Sequence, residues 1–292
     1  MHLAGRVVHR RLFADVTDPA EHEPWTLNFE PDYTAAALEM LNACVAASHA
    51  PECAVIEGID WTVRVGDFWV VGGSSGSGKS DLMATAAGLL RPLRGVHRLF
   101  GEELIRLDEE SFLRQRRRAG LVFGNEGRLF NQMTVAENLA LPLCYHRNCD
   151  AREVRARVDE ILEHTGLSAM ANRTPANVNR SLRSRVALAR ALALQPELLL
   201  LDNPVRESDP AQRRWWIEFL SVLCAGHAVL SHRRTTIVVA TDDFRPWLGA
   251  GQRFALITGQ GWRTIGARAD LSACDEPLLR ELLHEETSET RG

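Results

Sequence analysis

The chain reads as an α/β protein on a mostly parallel sheet covered on both faces, and three observations predict this class. Short runs such as Phe68-Trp69-Val70-Val71 and Leu198-Leu199-Leu200-Leu201 are apolar throughout and have the length of strands buried on both faces. Longer segments between such runs carry apolar residues at helical spacing. The two kinds alternate along the 292 residues, as strand–helix–strand units do.

In chain order, residues 1–24 are charged and lack a period, and Trp25–Phe29 is a possible opening strand. Ala37, Leu38, Leu41 and Val45 give the stretch Tyr33–Ala47 helical spacing, with Pro51 closing it. Trp61, Val63 and Val65 alternate as a half-buried strand, and Gly66-Asp67 turns the chain into the run at 68–71. A helix with Leu82, Ala86, Leu89 and Leu90 on one face is expected to end at Pro92, and a strand at Leu121–Phe123 returns to the sheet. Thr134 with Glu137, and Asp150 with Glu153, have the spacing of capping boxes. The second precedes Val154, Val158, Ile161 and Leu162, with Gly166 as the stop. Leu182–Leu194 is a helix with Ser181 as its expected cap. Leu198–Leu201 ends in Asp202, and Asp209-Pro210 starts a helix that buries Trp216, Leu220 and Leu223. Ile237–Ala240, Phe254–Thr258 and Trp262–Ile265 are strands, and a charged helix over Glu276–Glu286 follows.

Composition narrows the class further. With 45% apolar and 25% charged residues the chain is globular, which excludes disordered, collagen-like and small disulfide-bonded types. Lys and Arg number 34 against 38 Asp and Glu, so nucleic-acid binding through bulk basicity is not expected. The arginines at 114 and 116–118 read as a solvated helix face, and Trp215-Trp216 with Phe219 as core. Six cysteines are scattered with no CxxC pair, as for reduced thiols in a cytosolic protein. No stretch approaches ~18 consecutive apolar residues, so the chain is expected neither to be secreted nor to span a membrane by itself.

The strongest motif is Gly73-Ser74-Ser75-Gly76-Ser77-Gly78-Lys79-Ser80, which fits GxxxxGK[ST] between an apolar strand and a helix. Glycines allow the positive φ angles and close approach by which backbone N–H groups wrap phosphate oxygens, and the helix N-terminus adds positive potential. These residues, with Asp81, are the candidate nucleotide site. Lys79 is placed to reach the β- and γ-phosphates, and the Ser80 hydroxyl to hold Mg²⁺. Asp202, at the end of the Leu198–Leu201 strand, is the second candidate Mg²⁺ ligand. A nucleotide and Mg²⁺ are therefore the expected ligands.

Together these residues resemble the nucleotide-binding subunit of an ABC transporter, from about Ala54 to Ile265. Leu121-Val122-Phe123 through Leu129-Phe130, Thr134-Val135 and Glu137-Asn138-Leu139 is similar to that family's Q-loop and helical subdomain. Val186–Leu192 followed by Pro196-Glu197-Leu198 looks like the signature helix leading to Walker B, and Asp209-Pro210 like the end of the D-loop. The resemblance implies a P-loop NTPase (RecA-like) core with an antiparallel β element and a helical subdomain near 125–180. On this reading residues 1–53 form an arm with an inserted helix, 54–265 the cassette and 266–292 a helical tail. It further implies that the nucleotide is ATP, and it implies a second cassette, identical or different, and transmembrane permease subunits on separate chains. The chain would then sit in the cytoplasm, peripheral on the inner face of the membrane, with no nucleic-acid partner. The segment Asp275–Leu283 is similar to the C-terminal part of ATPases of MCE-type phospholipid transporters.

The departures from the family are as specific as the matches. Gly124 stands where the Q-loop has Gln, and Val178-Asn179-Arg180-Ser181-Leu182 aligns with the LSGGQ signature. Asn203 replaces the Glu that polarises the attacking water, and Thr241 aligns with the switch His, His232 lying too early in the chain. An amide cannot act as a general base, although its oxygen can orient a water. Lys79, Asp202 and Asn203 are thus the candidate catalytic set, with slow hydrolysis expected. A cassette that binds ATP without significant turnover is the alternative, and a soluble P-loop protein of another class is a third. Arg180 is open to two readings, an arginine finger toward a partner's γ-phosphate or a solvated helix face shared with Arg183 and Arg185. Tyr33 and Trp25 are the candidates for stacking on the adenine.

Overall fold

A computed structural model describes residues 35–124, 128–146, 151–206 and 208–283. The run at 68–71 lies in β3 (Phe68–Gly73), with every residue buried. It is flanked in parallel by β8 (Thr236–Thr241) and β9 (Arg253–Thr258). The parallel block continues from β8 through β7 (Leu198–Asp202) to β6 (Ala119–Val122). Side chains alternate between two cores. Phe68, Val70, Leu199, Leu201 and Val239 face one, and Trp69, Val71, Leu198, Leu200 and Val238 the other. Burial on both faces is why these strands show no polar alternation.

The antiparallel element comprises β1 (Ala36–Ala47), β2 (Ala50–Arg64), β4 (Arg94–Leu99) and the short β5 (Glu102–Glu103). With β10 (Gly261–Ala267), antiparallel to β9, the ten strands run β5-β4-β1-β2-β10-β9-β3-β8-β7-β6. The helix expected over Tyr33–Ala47 is therefore wrong for the described part, which is β1. Two neighbours decide the matter, because β1 is hydrogen-bonded to β2 on one side and β4 on the other. Asn42, at φ 44°, shifts the register between Met40 and Ala43. An extra residue at such a bulge breaks the two-residue period and leaves spacing that mimics a helix. Trp25, Tyr33 and the strand expected at Trp25–Phe29 lie outside the described residues.

The helices are α1 (Lys79–Ala86), α2 (Glu109–Arg118), α3 (Val135–His146), α4 (Ala151–His164), α5 (Arg180–Leu192), α6 (Pro210–Ala225) and α7 (Pro277–Leu283). α1 stops well before Pro92, because Gly88 takes φ 70° and its N–H donates to Thr85 O at 2.8 Å. The cap of α5 is Asn179 rather than Ser181, since its side chain accepts from the Ser181 N–H. α6 is capped by Asp209, whose carboxylate accepts from Gln212 N at 2.8 Å. Gly166, at φ 67°, ends α4, which buries Val154, Val158, Ile161 and Leu162. Asp150 lies outside the described residues. Arg157 ties α4 to the core by donating to Val229 O at 2.6 Å and Leu192 O at 3.1 Å.

The Thr134 capping box forms reciprocally, with Glu137 N to Thr134 Oγ1 at 3.2 Å and Thr134 N to Glu137 Oε2 at 2.7 Å. Thr134→Ala is expected to lower stability by about 1 kcal/mol, read as a shifted urea midpoint with unchanged slope.

The arginine cluster on α2 is partly structural rather than only solvated. Arg118 grips Glu197 with two bonds of 2.7 and 2.9 Å, and Arg116 donates to Ala87 O at 2.6 Å. Trp216 and Phe219 are buried. The cysteines at 44, 53, 144, 224 and 274 are free thiols. The C-terminal helix forms over Pro277–Leu283 and buries Leu279 and Leu282 beside β3. A Cβ on Gly72 would lie 2.6 Å from Leu282 Cδ1 and from the Phe244 ring, so any side chain there would displace both. No helix among the described residues is long and apolar enough to cross a membrane.

Candidate functional site

The glycine-rich loop leaves β3 and re-enters α1 at Lys79, at one end of the parallel block. Gly76 and Gly78 take φ 79° and 87°, conformations that side-chain-bearing residues rarely adopt. A Cβ on Gly73 would lie 2.4 Å from Ser77 Oγ. Lys79 is buried, and its ammonium donates to Gly73 O and Ser74 O at 2.6 Å each. Desolvation lowers its pKa, while the Asp242 and Asp202 carboxylates oppose that shift. Ser80 Oγ donates to Asp202 Oδ2 at 2.6 Å, so the two expected Mg²⁺ ligands, 122 residues apart, are adjacent. Asp81 does something unforeseen. Its Oδ1 accepts from Ser48 N at 2.9 Å and pins the turn between β1 and β2 against the loop.

That turn brings His49 to the mouth of the site. A cleft of about 710 Å³ is lined by His49, the loop residues from Ser75 to Asp81 except Ser77, Gly124, Asp202, Asn203 and Asp242. Asn179, Arg180, Ser181 and Ser184 at the start of α5 line its far side. His49 was invisible to sequence reasoning because the stretch before it reads as helix, and only a hairpin puts its turn over the loop.

Gly124 follows β6, where a Cβ would lie 3.1 Å from Asp202 Oδ2, so its backbone abuts the acid directly. Asn203 takes φ 49° and donates from Nδ2 to Asp242 Oδ2 at 3.2 Å. Its Oδ1 is buried with no hydrogen-bond partner among the described residues. Thr241 does not face the cleft. It is buried, and its hydroxyl donates to Asp243 O at 3.0 Å. Asp242 faces the cleft instead. Thr241 closes β8, and the next residue is the one that turns toward the loop.

Arg185 is not part of a solvated face. It is buried, hydrogen-bonded to Gln212 and stacked 3.6 Å above the Trp215 ring. It anchors α5 to α6 and so holds Asn179 and Arg180 beside the cleft. Arg180 itself lines the cleft.

The family model for ABC transporters matches residues 56–206. The sulfate/thiosulfate import ATP-binding protein CysA of Mycobacterium tuberculosis is 33% identical over 219 residues, covering 74% of this chain and 58% of that protein. The methionine import ATP-binding protein MetN of Photorhabdus laumondii is 40% identical over 158 residues, covering 54% of this chain and 46% of that protein. The chain thus spans about half the length of these curated relatives. Among solved structures, the ATP-binding cassette MJ0796, a dimer in a post-hydrolysis state bound to ADP and Pi, superposes with a TM-score of 0.69 at 26% identity. That match covers 78% of this chain and 98% of the other. With the loop, its partner Asp202 and the sheet order already in place, these matches show that the chain belongs to the ABC transporter family of ATP-binding cassettes.

Proposed function

We propose that this chain is the ATP-binding subunit of an ABC transporter, binding Mg-ATP at the interface with a second cassette and driving transport through separate membrane subunits. The observation that carries the reading is the pairing of the Lys79 loop with the Ser80–Asp202 contact across two adjoining parts of one cleft. A hydroxyl and a carboxylate are hard oxygen donors of the kind Mg²⁺ takes, the remaining positions going to phosphate and water. Phosphates occupy the loop, where Lys79 exchanges its two carbonyl partners for phosphate oxygens. The base lies toward His49, and Arg180 offers a cation to nucleotide held across the dimer. In a working assembly the subunit is cytoplasmic and peripheral to the membrane.

A second reading, an ATP-binding partner without significant turnover, is favoured by Asn203 in place of the family's Glu. Calorimetry of the full chain with Mg-ATP, followed by ATPase assays on the complex with its membrane subunits, separates the two. Binding with turnover supports the motor, binding alone supports the second reading, and no binding overturns both. His49→Ala is expected to weaken ATP binding by at least about fivefold in the same titration, the lower end of the effect of removing one stacking ring. An unchanged affinity would exclude His49 from the base site.

A further inference from the structure

We infer that Asp242 is the carboxylate that accepts the proton of the attacking water, with Asn203 as its positioning residue. This rests on the ATP-binding reading above. The carboxylate absent from the end of β7 is present at the end of β8. Asp202 pairs in register with Ala240, which sets Asn203 level with Thr241 and one residue short of Asp242. The Asn203 and Asp242 side chains touch, with Asn203 Nδ2 donating to Asp242 Oδ2 at 3.2 Å.

The polarity of that contact matters. An amide that donates to one carboxylate oxygen leaves the other free to take a proton, and leaves its own oxygen as an acceptor. Asn203 Oδ1 is buried and without a partner among the described residues, which in a native structure calls for a missing donor. A water in the cleft that gives one hydrogen to the free oxygen of Asp242 keeps a lone pair for attack, while the Asn203 amide holds that carboxylate in place. The left-handed φ of 49° at Asn203 aims the amide at Asp242, a conformation in which Asn is among the less strained residues.

The loop carrying Asp242 is braced. Thr241 Oγ1 and the Asp243 backbone exchange bonds of 3.0 and 3.1 Å, and the Asp243 carboxylate is committed to Arg245 at 2.8 Å. Of the two successive acids, Asp242 is the one facing the cleft. Its charge also acts on Lys79, so the carboxylate lies within electrostatic reach of the loop.

In the step itself the water oxygen bonds to the γ-phosphorus as the bond to the β–γ bridging oxygen breaks. The bridging pair leaves with ADP, and the water proton passes to Asp242 and thence to the released phosphate. The products are ADP and phosphate, with no further reactant.

The test uses the full chain purified with its membrane subunits, comparing wild type, Asp242→Asn and the double variant Asp242→Asn/Asn203→Glu. Asp242→Asn should reduce kcat about 10²–10⁴-fold, the usual range for a lost general base. It should bind Mg-ATP at least as tightly, because a negative charge beside the terminal phosphate is removed, and the nucleotide extracted from it should be ATP. The double variant restores a carboxylate to the neighbouring strand end and should recover at least tenfold of the loss. Asp242→Asn turning over within threefold of wild type, or a double variant with no recovery, overturns the proposal. A wild-type complex that binds ATP and never hydrolyses it also overturns the proposal while leaving the ATP-binding reading intact. Failure of wild type to bind ATP in calorimetry removes that reading and the proposal with it.

Discussion

Lys79→Ala is expected to lower the affinity for Mg-ATP by at least about 10²-fold and to remove any turnover. The ammonium is buried and makes two short bonds, to Gly73 O and Ser74 O. It is also a cation whose natural partners in a nucleotide are phosphate oxygens. A hydrogen bond to a charged group contributes roughly 1.5–3 kcal/mol, so losing two amounts to a hundredfold or more in binding. The cleft is also lined by Asp81, Asp202, Asp209 and Asp242 against Arg180 and Arg206, so removing Lys79 leaves the triphosphate facing four acids with two opposing cations. Titration calorimetry reads the affinity directly, and a dissociation constant within threefold of wild type would contradict this role. Lys79→Arg should not rescue, since the planar guanidinium cannot replace a compact ammonium in so narrow a loop.

Acid is expected to destabilise the fold through His97. This residue lies on β4, packed between the antiparallel element and α1, and is buried. Desolvation lowers its pKa from 6.5 to about 4, against the opposing effect of a hydrogen bond with the Ala86 backbone. Its Nε2 has no partner among the described residues. A folded-state pKa below the unfolded value means that the unfolded chain binds the proton more readily. The contribution is therefore complete above about pH 6.5 and is lost as pH falls toward 4. The full shift corresponds to about 3 kcal/mol, of which about 2 is gone by pH 5. Urea unfolding at pH 7.5 and pH 5.0 measures it. His97→Leu should remove most of the difference between the two pH values, and an equal pH dependence in both proteins would rule His97 out as the cause.

Much of this molecule was legible from local chemistry alone. The runs at 68–71 and 198–201 are strands because nothing polar interrupts them, and burial on both faces is what such runs require. The Thr134 box, the Asp209 cap and the Gly166 stop form as written, since each depends on residues within a single turn. The placement of the glycine-rich loop between a strand and a helix was equally plain, because a fixed spacing of glycines, lysine and serine is a local pattern with its own physical logic.

What depended on contacts far apart in the chain was misread or unseen. β1 looked helical until two neighbours and a bulge at Asn42 made it a central strand, and with it the turn carrying His49 became part of the site. Thr241 was aligned with the switch position, yet the packing at the end of β8 buries its side chain and turns Asp242 toward the loop. Arg185 left the solvated face for Trp215. By itself the sequence determined the sheet's central strands, the glycine-rich loop and the pairing of Ser80 with an acid at the end of a later strand. The tertiary structure alone decided which carboxylate stands beside Asn203. The pairing of β1 with β4 and the contact of Asn203 with Asp242 join residues far apart in the chain, and no local pattern encodes them.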